Sequence, residues 1–291
     1  MIDNLESMYD HAIQEGTKGL QRLMKENRGL LHARDNHGRT LLLMAVFDAN
    51  LEAVKDLVKK GACPVIYSYT AVSPFSVACT LEDSKVLDYL LSTSIHSLSD
   101  DDIAFLYATA AASRRLNNVK CLLKHGLDCN IFYREQSIVH WAVEPGNVEV
   151  IDLLYKNGAS LTDSNECGSG PLYQAAAEDL IDIVEYLLSK GIDIDPLADN
   201  GCTPLSIACC FNSVRTVAAL LKHGATINTK DDEGVAPLLR AIQRESFEIV
   251  EMLLQNGADT QICDNKGRGV PYYLSKLKKQ SRIKMEKLLQ K

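Results

Sequence analysis

His140 is the side chain best suited to acid–base or metal chemistry in this sequence, because an imidazole changes charge near neutral pH. Such chemistry needs partners, either a nucleophile with a carboxylate or a set of ligands at metal spacing. The chain contains seven histidines and nine cysteines, but no CxxC pair and no histidine cluster at zinc spacing. We therefore predict no catalytic residue, no metal site, no cofactor and no enzymatic activity, and a structural role for His140.

Three consecutive acids, Asp100, Asp101 and Asp102, could bind a cation or a basic peptide. They directly follow Ser99. A serine followed by acids is also how many helices begin, since the serine caps the first turn and the acids favour its positive end. No second pair of acids at the spacing of a known metal loop accompanies them. The sequence favours a capped and solvated helix start over a cation site.

The cysteines are spread singly along the chain apart from Cys209-Cys210, and unpaired thiols indicate a reducing compartment. The first residues, MIDNLESM, lack the basic and apolar segments of a secretion signal. No apolar run approaches the roughly 18–20 residues of a membrane span. We expect a cytoplasmic protein without membrane contact. Secretion as an effector into a host cell stays open, because such export leaves no readable mark here.

Charge limits the partners of the chain. The formal net charge is -7, which repels phosphate, so we expect no nucleic-acid binding. The acidic surface predicted over Asp163–Asp259 would instead favour a basic partner and speed its encounter.

A repeat of 32 or 33 residues positions these side chains. Each repeat has a turn, a short helix, a second helix with one apolar face, and in most repeats a final glycine. One such unit cannot bury an apolar core by itself, whereas a stack of them can. The equivalent positions that open the first helix are Thr40, Ser73, Phe105, Ser137, Gly170, Thr203, Ala236 and Gly269.

These repeats resemble the ankyrin repeat family. The residues that carry the resemblance are TPLSIA at 203–208, GPLYQA at 170–175, NGA at 157–159 and NGAD at 256–259. The resemblance covers nearly all of residues 35–274. It implies an all-α solenoid of helix-turn-helix units with short hairpin tips, about seven full repeats between two terminal caps.

The predicted boundaries follow the repeat. Residues 1–34 are expected to form N-terminal capping helices. Residues 264–291 are expected to form a basic C-terminal cap, in which Ile283, Leu288 and Leu289 predict a final helix. Repeat 100–131 is the least regular, because its first helix is predicted to begin about four residues early and to replace the tip. The seven repeats are 35–67, 68–99, 100–131, 132–164, 165–197, 198–230 and 231–263.

The resemblance also implies roles for single residues. A histidine at the position of His140 supports the hairpin by hydrogen bonding to backbone. Asn130 and Asn228 resemble the asparagines that are hydroxylated in some ankyrin repeats. Partners of such solenoids bind the concave groove of tips and inner helices. The candidate partner-binding residues are Tyr69, Asp101, Asp102, Arg114, Arg115, Tyr133, Arg134, Trp141, Glu144 and Phe211.

We expect a monomeric scaffold or adaptor that holds a partner protein or peptide, basic in character, in this groove. Trp141 is predicted either to anchor that partner or to pack between repeats. A small-ligand or nucleotide sensor built on Trp141, Tyr133 and Arg134 is the alternative from another class. A pathogen effector that mimics a host ankyrin scaffold shares the scaffold mechanism and differs in origin.

Overall fold

The computed structural model describes residues 4–290, without the side chains of Thr17 and Arg28. Eighteen α-helices and two short strands occupy this part of the chain. The all-α fold class predicted from the sequence is confirmed. The chain separates into two compact units, one ending at Tyr133 and one beginning at Arg134. The predicted caps include residues 1–3 and 291, which lie outside the described residues.

The first unit contains helix pairs and two 3-10 turns, at Arg28–His32 and Ile95–Ser97. Its helices and its strand are α1 (Leu5–Gln14), α2 (Gly16–Glu26), α3 (Leu41–Phe47), α4 (Leu51–Lys59), α5 (Pro74–Ala78), α6 (Lys85–Ser94), α7 (Asp100–Ala112), α8 (Leu116–Lys124) and β1 (Phe132–Tyr133).

The second unit is a regular succession of short and longer helices. Its elements are β2 (Gln136–Ser137), α9 (Ile138–Val143), α10 (Val148–Lys156), α11 (Pro171–Ala177), α12 (Ile181–Ser189), α13 (Pro204–Phe211), α14 (Val214–Lys222), α15 (Pro237–Gln243), α16 (Phe247–Gln255), α17 (Val270–Ser275) and α18 (Lys279–Leu289).

The pair α13 and α14 shows how local sequence sets the helix ends. The hydroxyl of Thr203 accepts a hydrogen bond from the backbone of Ser206 at 3.2 Å, and Pro204 occupies the first turn. Asn212 ends α13 in the left-handed region. The apolar face of the second helix in each repeat is fully buried; its central leucines are Leu57, Leu90, Leu122, Leu154, Leu187, Leu220 and Leu253.

Helix α7 begins at Asp100, as its sequence predicts. The Ser99 hydroxyl accepts from the backbone of Asp102 at 3.2 Å, and the Asp102 carboxylate accepts from the backbone of Ser99 at 2.9 Å. This reciprocal cap satisfies two backbone donors that the first turn would otherwise leave unpaired. The 13-residue helix takes the place of the hairpin tip in this repeat.

The final helix that the sequence predicts is present as α18. Met285 is fully buried, whereas Ile283 is 45% exposed. Leu288 and Leu289 are half-buried. The helix is therefore turned so that the thioether, and not the β-branched side chain, enters the core.

A buried Asp or a half-buried Asn organises four of the hairpin tips in the described residues. In the second unit, Asp231 Oδ1 accepts from the backbone of Glu233 at 3.0 Å and of Val235 at 2.8 Å. Such a side chain mimics a turn of backbone and fixes the tip without help from a neighbour. The same paired arrangement is made by Asp35, Asn165 and Asp264.

Successive tips are joined by a backbone hydrogen bond, and we call this set the tip ladder. In the first unit the Tyr69 amide donates to the His37 carbonyl at 3.1 Å. In the second unit the amides of Asp199, Asp232 and Asn265 donate to the carbonyls of Cys167, Asn200 and Glu233, at 3.0–3.1 Å.

A glycine lies against each ladder bond. Gly234 has a φ of +79°, and a Cβ there would lie 2.5 Å from the backbone nitrogen of Asn265. Gly257, in the same repeat, has a φ of +90° but nothing within 4 Å of the corresponding position. Both glycines satisfy a left-handed backbone, while only Gly234 also lets two tips approach.

No helix among the described residues combines the length and the apolar character that crossing a membrane requires.

We predict that Gly234→Ala destabilises the chain more than Gly257→Ala does. Each alanine costs about 1–2 kcal/mol for the left-handed backbone. Gly234→Ala adds about 1–3 kcal/mol for forcing apart two packed tips. The free energies of unfolding in urea should show this difference, and equal losses for the two variants would contradict the role given to the tip ladder.

Candidate functional site

Within each unit, we call the surface made by the tips and the first helices of its repeats the tip face of that unit. The tip face of the first unit comprises residues 35–48, 67–80 and 100–115 with 132–133, and that of the second unit comprises residues 134–144, 165–178, 198–211 and 231–244. All ten candidate partner-binding residues lie on these two faces, six in the first unit and four, from Arg134 onward, in the second.

Aromatic side chains gather around the first turn of α7. The Tyr67 hydroxyl donates to Asp102 Oδ1 at 2.5 Å, and the rings of Phe105 and Tyr133 lie 5.3 Å apart at a tilt of 40°. Burial and the carboxylate of Asp102 raise the pKa of Tyr67 to about 12. The early helix thus brings together residues from the tips before and after it.

Asp102 serves the structure through both of its carboxylate oxygens. Oδ1 accepts from Tyr67, and Oδ2 accepts from the Ser99 backbone at 2.9 Å and the Ser99 hydroxyl at 2.6 Å. Burial opposes ionisation, but these hydrogen bonds hold the pKa of Asp102 below its usual range. Asp101, the preceding residue in the same turn, is exposed.

The three other candidates of the first unit differ in how they are held. Arg115 Nε donates to the Thr80 carbonyl at 2.9 Å, so its guanidinium connects its repeat to the preceding one. Arg114 is exposed and follows α7 with a φ of +57°. Tyr69 is 60% exposed although its backbone belongs to the tip ladder.

His140 is a structural residue of the second unit. It is 1% exposed, its Nε2 lies 2.9 Å from the Ser169 carbonyl and its Nδ1 lies 2.8 Å from the Ser137 hydroxyl. Because a carbonyl can only accept, Nε2 carries the proton and Nδ1 accepts from Ser137. Burial lowers the pKa of His140 below its ordinary 6.5, against the raising effects of the Ser169 hydrogen bond and the charge of Asp163.

The remaining candidates of the second unit occupy the ends of its first helices. Trp141 is half-buried on α9, and Glu144 is exposed at the end of that helix. Phe211 is the last residue of α13 and is 61% exposed. Arg134 is exposed in the tip that precedes α9.

Two pairs of glutamates on the tip face of the second unit interact through their charges, Glu135 with Glu166 and Glu144 with Glu178, and we call them the acidic pairs. A hydrogen bond with Glu135, together with its negative charge, raises the pKa of Glu166. Burial and the charge of Glu144 raise the pKa of Glu178, although the Gln174 amide donates to it at 3.4 Å. Like charges are thus concentrated here. Sequence reasoning missed Glu135, which is separated from Glu166 by a full repeat.

The two asparagines considered for hydroxylation are both exposed. Asn228 Oδ1 accepts from the backbone of Asp259 at 3.0 Å, and the backbone of Asn130 donates to Asp128 Oδ1 at 2.8 Å. Both arrangements belong to tips, and their hydroxylation stays a prediction.

A cavity of about 400 Å³ lies between α16 and α18, lined by residues that include Glu251, Leu254 and Leu288. It is remote in sequence from Trp141, Tyr133 and Arg134, on which the small-ligand alternative depends. The geometry of this cavity therefore lends that alternative no support.

Comparison with known proteins agrees with the repeat structure. A family model described as ankyrin repeats (3 copies) matches residues 75–165, 109–198 and 172–264. An ankyrin repeat protein of Rickettsia felis is 24% identical over 147 residues, which are 50% of this chain and 39% of that protein.

Two further relatives are much longer than the matched region. The nuclear factor NF-kappa-B p105 subunit of Gallus gallus is 27% identical over 175 residues, 57% of this chain and 18% of that protein. The transient receptor potential cation channel subfamily A member 1 of Homo sapiens is 26% identical over 179 residues, 60% of this chain and 13% of that protein. The chain thus spans less than half the length of each of these relatives.

We predict that His140→Leu costs about 1–3 kcal/mol of stability at neutral pH, because it leaves the Ser169 carbonyl and the Ser137 hydroxyl buried without their partner. Leucine fits the position sterically, since Leu43 and Leu239 occupy it in other repeats.

The difference in the free energy of unfolding between the wild type and His140→Leu should become smaller as pH falls below 6.5. There the unfolded chain binds a proton at His140 that the native state resists, so only the wild type loses stability from this group. Urea unfolding at a series of pH values measures this difference, and a difference that grows on acidification would contradict the neutral imidazole.

Proposed function

Because the chain belongs to the ankyrin repeat family, whose repeats are generally protein–protein interaction modules, we propose that it is a scaffold or adaptor that binds a protein or peptide partner on its tip faces. The acidic pairs are the observation that carries this proposal. They favour a partner that presents lysine or arginine side chains. The chain acts as a monomer in the cytoplasm and performs no catalysis.

The acidic pairs supply the driving force for a basic partner. A hydrogen bond with Glu135 and then the charge of Glu135 raise the pKa of Glu166, whereas burial first and the charge of Glu144 second raise the pKa of Glu178. Each pair therefore places a second negative charge near the first. A cationic side chain placed between two carboxylates removes that repulsion and adds charge-assisted hydrogen bonds. Complementary charge also speeds encounter and selects against acidic partners.

Exposed aromatic residues supply the apolar contacts. Tyr69 and Phe211 are 60% and 61% exposed, each on the tip face of its unit, and each belongs to a segment whose backbone is fixed by hydrogen bonds of its repeat. Large rings presented in this way are typical anchors of interfaces. Asp102 and Arg115 have a structural role instead. Asp102 accepts a hydrogen bond from Tyr67 and Arg115 donates one to the Thr80 carbonyl, and these bonds hold neighbouring parts of the surface in place.

We predict that Tyr69→Ala and Phe211→Ala each weaken the partner complex by about tenfold, equivalent to about 1.4 kcal/mol. The matched control is Tyr155→Ala, which removes a 41% exposed ring from α10, outside both tip faces. The partner is captured with the wild-type chain, and affinities of all four proteins are then compared by calorimetry.

Loss of affinity in Tyr155→Ala with full affinity in the two tip-face variants would contradict the proposal. If no protein is captured while nucleotides raise the thermal stability of the chain, the small-ligand alternative replaces it.

We predict further that Glu166→Gln lowers the association rate of the basic partner and weakens the dependence of binding on salt. Glu149→Gln, an exposed acid of α10, is the control and should change neither. Since the pKa of Glu166 is raised, wild-type binding should begin to weaken on acidification at a higher pH than an ordinary glutamate would cause. Stopped-flow kinetics measures the rates, and identical rates for the two variants would contradict the role of the acidic pairs.

A further inference from the structure

Helices α6 and α8 of the first unit bring together an aspartate, a cysteine and a histidine on the side of the second helices. His125 Nε2 lies 2.9 Å from Asp88 Oδ1, and Cys121 Sγ lies 3.8 Å from the same oxygen. All three potential ligand atoms lie within 4.8 Å of one another, the only group of this kind found in residues 4–290. We propose that Asp88, Cys121 and His125 bind one Zn²⁺ ion, with water as the fourth ligand.

The distances suit a tetrahedral zinc site. Zinc–ligand bonds of about 2.0–2.3 Å to nitrogen, oxygen and sulfur place tetrahedral ligand atoms about 3.3–3.6 Å apart. The separations from Asp88 Oδ1 to His125 and Cys121 bracket this value, so small side-chain rotations open the site. Cys121 and His125 are four residues apart and thus project from the same side of α8 and its end.

The site is protected on one side and open on the other. Cys121 is 5% exposed, the His125 side chain 18% and the Asp88 side chain 43%. A buried thiolate and imidazole favour zinc over magnesium or calcium, which prefer oxygen ligands. The exposed edge at Asp88 leaves room for the water ligand.

The second unit contains the same arrangement without the thiol. His223 Nε2 lies 2.8 Å from Glu185 Oε2, and Ala219 occupies the position that corresponds to Cys121. Ala219 is 6% exposed, so the two positions are equally buried. A carboxylate–histidine contact between second helices therefore needs no cysteine for structural reasons. The thiol is what turns this contact into a set of three ligands.

Lys124 must move for the ion to enter. Its Nζ lies 2.9 Å from Asp88 Oδ1, but its side chain is 70% exposed and can turn into solvent. Zn²⁺ would replace that ammonium group, and the Cys121 thiol would release its proton to solvent as the Zn–S bond forms. The charges of one carboxylate, one thiolate and a neutral imidazole then balance the ion.

Spacing along the sequence predicts no metal site, because the three ligands come from consecutive repeats and are brought together only by the packing of α6 against α8. The bound ion would cross-link α6 to α8, and thus join the repeat in which α7 replaces the tip to the repeat before it. Because the unfolded chain does not hold the three ligands together, the ion would stabilise the folded state.

Calorimetric titration of the metal-free, reduced full chain with ZnCl₂ tests the site, together with the absorption of the Co²⁺ form, in which a cobalt–thiolate bond gives a charge-transfer band. We expect one zinc equivalent that raises Tm. Cys121→Ala should abolish both the cobalt–thiolate charge-transfer band and the binding of the zinc equivalent. His125→Asn should weaken zinc binding by more than the roughly 10–100-fold that loss of a hydrogen-bond partner of a ligand costs.

Asparagine occupies the position of His125 in two other repeats, at Asn157 and Asn256, so this variant is expected to fold. The matched gain-of-site variant is Ala219→Cys, which should bind a second equivalent beside Glu185 and His223. Lys124→Ala should raise zinc affinity, because it removes the competing cation.

Three results would overturn the proposal: a wild type that binds no zinc, a Cys121→Ala variant that keeps the zinc equivalent and the cobalt band through other thiols, or a Lys124→Ala variant with lower zinc affinity. If Cys121→Ala does not fold, the other two variants decide. The proposal would be overturned if His125→Asn bound zinc as tightly as the wild type and Ala219→Cys bound no second zinc equivalent.

Discussion

The tip ladder is the interaction on which the rest of the structure depends. A backbone amide in one tip donates to a carbonyl in the preceding tip, and the glycine beneath, such as Gly234, leaves no room for a Cβ. The bond fixes each tip against its neighbour at a single distance. Apolar second helices can stack in several ways, whereas a backbone bond between tips admits one register. Where α7 replaces a tip, the contact between Tyr67 and Asp102 joins neighbouring repeats through side chains.

The fixed register explains why unfavourable contacts persist on the tip face. Glu135 and Glu166 repel each other, yet their positions follow from the repeats that carry them, so the stack holds the charges together. Unfavourable local interactions of this kind are common at binding surfaces, where a bound partner of opposite charge removes the repulsion. Asp102 and Arg115 have the opposite role, because they satisfy backbone or tyrosine groups and stabilise the surface from which exposed rings such as Phe211 project.

The fold could be predicted because its signals are local. The signals are the spacing of apolar residues, a proline after the helix cap and a glycine after the helix end, and each acts within one repeat. In the same way, Ser99 followed by three aspartates predicts the early start of α7. The side-chain contacts could not be predicted in the same way. The pair Glu135–Glu166 and the cluster of Asp88 with Cys121 and His125 join residues about one repeat apart, and their approach depends on how neighbouring helices are rotated. The rotation of α18 depends on its neighbours in the same way, since Met285 enters the core and Ile283 does not.

Residue-resolved hydrogen exchange of the free chain tests the tip ladder most directly. Asp199, Asp232 and Asn265 are exposed residues, but their backbone amides donate hydrogen bonds to carbonyls of the preceding tips. We predict that these three amides exchange as slowly as those in the buried helices beside them, because they open only when two repeats separate. Exchange at the rate of an unstructured peptide, with the helices still protected, would show that the repeats are held together by their helices alone and would contradict the role of the tip ladder.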